Sequence, residues 1–215
     1  MMTRLFAAVF VLSSAPLLAQ APASAPAAQP HSSEIGFSYS IPADWEVVDT
    51  KLTLPEVRQK VENEATSEDE KRGAACAQVA LTARHGAPAS VVVVVALPFA
   101  CFGQQMTDKD LPGFASGASE GLKKSFDISS PVHGAYSLGT HNLWIERATG
   151  TLIGRPEMKY TVETVCSILK KGAVCWMAMA ADDLSLQTFE HGSVTLDGES
   201  AAALVPADAF VKKPS

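Results

Sequence analysis

The chain predicts an α+β domain built on a central antiparallel β-sheet flanked by helices. Several stretches alternate apolar and small or polar residues at the two-residue period of a half-buried strand. Short glycine-containing segments between them read as hairpin turns. Helical spacing occurs in only two places, after runs of strands and not after each strand, which argues against a parallel βαβ alternation.

The first nineteen residues stand apart from this pattern. Arg4 is followed by the apolar run LFAAVFVL and then by SSAPLLA, the succession of a basic, an apolar and a small-residue region that marks a signal peptide. The apolar run is shorter than the roughly 20 residues of a membrane-spanning helix. Cleavage is expected after Ala19, which makes the protein exported, periplasmic or extracellular, with no stable membrane span once the leader is removed. Residues 20–33 (QAPASAPAAQPHSS) carry no large apolar side chain and read as a disordered, extended tether. Residues 34–212 then form one domain, of a size that supports a core.

Within it, residues 35–42 (IGFSYSIP) alternate as a strand that Pro42 stops, and Trp45 follows in a turn. Residues 76–84 alternate again. Residues 90–99 (SVVVVVALPF) are β-branched and apolar throughout, the composition of a central strand buried on both faces. Leu111, Phe114, Ala118, Leu122 and Phe126 recur at helical spacing behind Asp110 as a cap and Pro112 in the first turn. Gly113, Gly117 and Gly121 fall four apart and would let that helix approach a sheet closely. Strands are expected at residues 135–138 and 143–152, and a hairpin at 157–169 and 173–181. A second helix is expected at 183–191, capped by Asp182 and closed by Gly192. Residues 193–196 add a short strand.

The four cysteines, Cys76, Cys101, Cys166 and Cys175, are an even number in an exported chain and favour disulfides. A loop of Leu169 to Gly172 would set Ile168 opposite Ala173 and Cys166 opposite Cys175, bringing Thr164 to Met177 and Val162 to Met179. Cys76 and Cys101 flank a second hairpin around residues 85–88. The expected pairing is therefore Cys166–Cys175 with Cys76–Cys101. The wide spacings and the lack of a Cys-x-x-Cys disfavour zinc.

Removing Arg4 with the leader leaves 16 Lys and Arg against 23 Asp and Glu, a net charge of −7. Such a surface repels phosphate backbones, so nucleic acid and anionic membrane are not expected as partners, leaving a protein or a small molecule of unspecified kind.

The opening residues Gly36-Phe37-Ser38-Tyr39-Ser40-Ile41-Pro42-Ala43-Asp44-Trp45 resemble the aromatic-x-aromatic-x-aliphatic-Pro-x-x-Trp start of PsbP-like and Mog-like domains. The later order of hairpin, helix and antiparallel strands is compatible with their α/β/α sandwich. The resemblance implies a non-catalytic binding or assembly module and names no ligand. It brings no catalytic or metal motif to this chain.

One sequence pattern suggests chemistry. Gly117-Ala118-Ser119-Glu120-Gly121 matches the G-x-S-x-G nucleophile elbow, with Asp182 or Asp183 and then His191 downstream in the order of a hydrolase triad. An elbow requires a strand directly before the serine, whereas residues 108–114 signal a helix start, so Ser119 is expected inside a helix. A secreted serine hydrolase is thus the alternative to a binding module. His31 lies in the tether and His85 in a turn, both expected to face solvent. His133 and His141 flank a hairpin, and no histidine pair has metal-ligand spacing. Adjacent Asp182 and Asp183 complement a helix dipole. No catalytic residue, cofactor or metal ligand is assigned. Phe37, Tyr39, Trp45, Trp144, Tyr160 and Trp176 should mostly be core, and any that borders a concave face would mark a binding surface.

Overall fold

Alternating apolar residues become strands here because a second layer covers each face of the sheet they form. The computed structural model describes residues 30–32, 34–41, 44–49 and 68–210. The leader and residues 20–29 of the tether lie outside the described residues. Twelve strands fall into two sheets among them. The larger runs β3 (Glu46–Val47), β4 (Gln78–His85), β5 (Ser90–Pro98), β10 (Gly172–Ala180), β9 (Arg155–Leu169), β8 (His141–Leu152) and β6 (Phe126–Ile128), every pairing antiparallel. β7 (Val132–Leu138) shares the outer edge of β8 with β6. The smaller sheet orders β1 (Pro30–Ser32), β2 (Phe37–Ser40), β11 (Val194–Leu196) and β12 (Glu199–Ala201). This is the expected α+β class. No helix among the described residues is long and apolar enough to cross a membrane.

Two apolar clusters occupy the two faces of the large sheet. On one face α1 (Glu68–Cys76), the short α2 (Phe99–Phe102) and α3 (Leu111–Leu122) cover Val93, Val95, Cys166 and Met177. On the other, the small sheet and α4 (Asp183–Glu190) cover Val94, Val165, Trp176 and Ala178. Phe37 meets Trp176 edge-on, with ring centroids 5.6 Å apart. Tyr39 donates its hydroxyl to the carbonyl of Phe189 at 2.9 Å, and burial holds its phenol pKa far above the usual value. β5 and β10, in the middle, are buried along almost their whole length, so their sequences are apolar without alternation.

The hairpin register is the expected one: Cys175 faces Cys166, Ala173 faces Ile168, and Met177 faces Thr164. The loop is shorter than expected, because Leu169 and Gly172 themselves pair and only Lys170 and Lys171 turn. Gly172 does not supply a left-handed conformation. It is needed for close approach, since a Cβ there would lie 2.7 Å from the Leu97 carbonyl oxygen. Gly192 likewise does not close α4 by positive φ. His191 ends that helix, and a Cβ on Gly192 would run into the Tyr39 ring.

Other elements differ locally. Pro30–Ser32, read as tether, pair with β2. Cys76 ends a helix and does not begin a strand, because β4 starts at Gln78. Its disulfide to Cys101 therefore joins α1 to α2. Asp110 does not cap α3 with its side chain. It closes a capping box with Thr107 around a preceding 3-10 turn, and Phe126 lies beyond the helix in β6. Asp182 caps α4 as expected, accepting the Ser185 N–H at 2.8 Å.

Both disulfides are Cys76–Cys101 and Cys166–Cys175, with no free cysteine. The second spans directly opposed strand residues with α-carbons 4.2 Å apart, just below the usual disulfide range and near that of a non-hydrogen-bonded antiparallel pair. Non-reducing peptide mapping should recover these two pairs. Replacing Cys166 and Cys175 by Ala should lower the unfolding free energy by roughly 2–3 kcal/mol while leaving the fold intact. A cross-linked Cys166–Cys76 or Cys166–Cys101 peptide would contradict the register.

The face under the small sheet also buries charge. Glu163 is fully buried and accepts from Arg147, its partner across the β8–β9 ladder, and Arg147 also bonds Glu190 of α4. Phe210 lies over the guanidinium at 4.5 Å, and Tyr136 donates to the Leu204 carbonyl at 2.7 Å, tying the last described residues onto the cluster. Burial pushes the Glu163 carboxyl up to about 7, Arg147 opposes the shift, and Glu190 adds to it. A folded-state value above the unfolded one means that the charged form is disfavoured in the fold. The contribution of Glu163 to stability should therefore be fully present below about pH 4.5 and decline by on the order of 3 kcal/mol as pH rises to about 7. Glu163→Gln should remove that decline and exceed the parent in stability above pH 7, read as urea midpoints across pH 4.5–8.

Candidate functional site

The register of three strands lays a polar row across the helix-covered face. His133 of β7 faces Glu146 of β8, and Glu146 faces Thr164 of β9. Because successive strand residues alternate faces, Trp144, Glu146 and Ala148 point toward α3 while Ile145 and Arg147 point away. The helix completes the site. Ala115, Ala118 and Leu122 bury the inner side of α3, and the same side carries Ser119 down to the row. Its hydroxyl donates to Glu146 Oε2 at 2.9 Å and lies 3.2 Å from the Thr164 hydroxyl.

Glu146 is 5% exposed and forms the floor of a cleft of about 230 Å³ between α3 and the outer strands. Its second oxygen receives the Trp144 indole N–H at 3.3 Å and lies 3.7 Å from His133 Nδ1. His133 in turn lies against Trp144, ring centroids 5.8 Å apart. The cleft opens where the edge partner of β8 changes. Residues 126–128 pair with 150–152, residues 132–138 pair with 141–147, and Ser129, Ser130 and Pro131 between them form one wall. Pro131 has no N–H to donate, which suits a break in the ladder. Ile128, Ala148 and Val162 make the apolar part, and Ser116, Glu120 and Lys123 the rim. Lys123 is engaged there by Glu120 at 2.7 Å.

The residues of the hydrolase alternative are not brought together. Ser119 lies inside α3, as expected, and its hydrogen bonds go to Glu146 and Thr164. Asp182 and Asp183 begin α4 and His191 ends it, and α4 packs into the cluster on the opposite face. The Asp182 carboxyl is held below its usual range by its backbone and hydroxyl bonds from Ser185, as a cap should be. Asp182 and Asp183 also border a wider groove of about 590 Å³ with Asp127, Lys159 and Tyr160.

Of the other histidines, His85 is less exposed than a turn residue. It ends β4, stacks on Trp45 at 5.6 Å and lies 3.3 Å from Asp44. His141 is nearly buried, 3.7 Å from Asp197, and faces Leu138 in the ladder, so it does not approach His133. His31 lies in β1. Among the described residues, no three His, Cys, Asp or Glu side chains converge as a metal site would require. Phe37, Tyr39, Trp45, Tyr160 and Trp176 are buried, and Trp144 is partly so.

Trp144 is among the aromatics that the sequence marks for a binding surface beside a concave face, whereas neither Glu146 nor Thr164 is a site candidate there. The usable signal was Glu146-Arg147 inside the strand LWIERATGTL, where alternation forces one of two adjacent charges toward each covered face.

Fold and site together define an antiparallel α+β domain with a carboxylate-floored cleft. No protein-family model matches the chain, and no curated protein matches it. Among solved structures it is similar to the solution structure of a cyanobacterial PsbP (CyanoP) from Synechocystis sp. PCC 6803, at 13% identity and a TM-score of 0.40, over 77% of this chain and 88% of that one.

Ser119→Ala removes the hydroxyl that joins helix to floor. A bond from a neutral donor to a charged acceptor is worth roughly 1.5 kcal/mol or more, and denaturant unfolding should show a loss of that size. An unchanged midpoint would mean that the bond does not hold α3 on the sheet.

Proposed function

We propose that this chain is an exported, non-catalytic binding module of PsbP-like build, acting in the periplasm or outside the cell, and that the cleft over Glu146 is its ligand site. The observation that carries the reading is a nearly buried carboxylate at the bottom of a concave, half-apolar site, with hydroxyls around it. Ligand sites have this makeup: apolar walls and a few placed polar groups. The two disulfides agree with an oxidising compartment. Against catalysis stands the Ser119 hydroxyl itself, which is directed at a carboxylate and a threonine. The base of the hydrolase alternative, His191, stands at the end of α4 on the opposite face of the sheet and not beside Ser119.

Three measurements test the parts separately. Material recovered from outside the cytoplasm should start near Gln20, and an intact chain of 215 residues there would overturn the export reading. A fluorophosphonate probe should leave Ser119 unlabelled, and labelling would restore the hydrolase. A mixed set of small amines, carboxylates and neutral sugars should shift the amide resonances of Ser119, His133, Glu146 and Thr164 for at least one member. Shifts confined to other parts of the molecule would move the ligand site elsewhere.

A further inference from the structure

The charge of the cleft specifies more than its volume does. We infer that it takes a small organic amine, with the ammonium group on Glu146 and a short apolar body along Ile128, Pro131, Ala148 and Val162. The inference rests on the cleft being the ligand site and adds the ligand's chemical class.

A carboxylate offers about four acceptor positions. Glu146 receives two donors, Ser119 O–H at 2.9 Å and Trp144 N–H at 3.3 Å, neither of them cationic. Its ion-pair partner among the described residues is His133 at 3.7 Å, which carries charge only when protonated and whose side chain is half exposed. The nearby ammonium of Lys123 is spent at the rim on Glu120. Buried carboxylates are ordinarily matched by a cation, as Glu163 is by Arg147 on the other face of this same sheet. Glu146 has no such fixed match, and the cleft above it leads to solvent. A ligand ammonium supplies three donors to a floor that already presents the oxygens of Glu146, Ser119 and Thr164 within a few ångströms of one another. An anionic ligand would face the carboxylate at close range, and a neutral polyol would leave its charge unmatched. The apolar wall then favours a hydrocarbon body over a fully polar one, and about 230 Å³ accommodates a molecule of roughly ten non-hydrogen atoms.

Benzylamine, benzyl alcohol and benzoate share size and ring and differ in charge, so they separate these cases. Titrated into the full chain and followed by amide chemical shifts, benzylamine should bind with shifts at Ser119, His133, Glu146 and Thr164. It should bind at least tenfold tighter than benzyl alcohol, and benzoate should bind weaker still. Glu146→Gln should abolish the preference for the amine. Ser116→Phe, at an exposed rim position that leaves Glu146 and its bonds in place, should weaken all binding by closing the mouth. Equal binding of the alcohol, or stronger binding of benzoate, would overturn the amine assignment while leaving the cleft a ligand site. Benzylamine binding that survives Ser116→Phe, or no shift of cleft residues by any of the three, would overturn the cleft itself.

Discussion

The rest of the structure depends on a sheet that is covered on both faces along its central hairpin. β10 buries every one of its nine residues, and β9 buries most of its second half. A strand so placed has no solvent face on which to put a polar side chain. Any it carries must find a partner inside, and must find it in the correct register, because a slip of one residue exchanges the two faces. Such a slip would lift Glu163 away from Arg147 and turn Thr164 away from Ser119. The Cys166–Cys175 bond joins opposed residues of the hairpin and forbids that exchange covalently.

Two neighbouring rungs of the ladder show how one constraint yields two outcomes. One rung sets Glu146 against Thr164 on the helix side, and the next sets Arg147 against Glu163 on the opposite side. Below Arg147 and Glu163, the segment ending in Leu204 to Phe210 and the last turn of α4 close over the charges, so the arrangement is structural. Above Glu146, the pairing to β8 is interrupted at Ser130 and Pro131, and α3 rests on the sheet through small residues and Ser119. That side stays open to solvent as a cleft. A buried carboxylate is matched by an arginine on one face and borders an open cleft on the other.

The hairpin, its register and the Cys166–Cys175 pairing were legible in the sequence, because local turn geometry and alternation decide which residues face each other across a short loop; Cys76–Cys101 was the pair left over, and it joins two helices and not opposed strand residues. The helix at residues 111–122 and the Asp182 cap were legible for the same reason: their signals lie within one or two turns of chain. The errors at Cys76, Phe126 and Pro30–Ser32 occur at element ends, where packing against other layers extends or ends an element. Gly172 and Gly192 signal turns in the sequence, yet their lack of a side chain serves Leu97 and Tyr39, residues distant along the chain. The cleft was not legible at all. Ser119, His133, Glu146 and Thr164 meet only when three strands and one helix are in place, and nothing local to any of them records the other three. The sequence by itself determined the α+β class, the hairpin and the starts of α3 and α4, because those follow from neighbours along the chain. The tertiary structure alone decided that Ser119 bonds a buried carboxylate, since that contact exists only where α3 crosses the β8–β9 ladder.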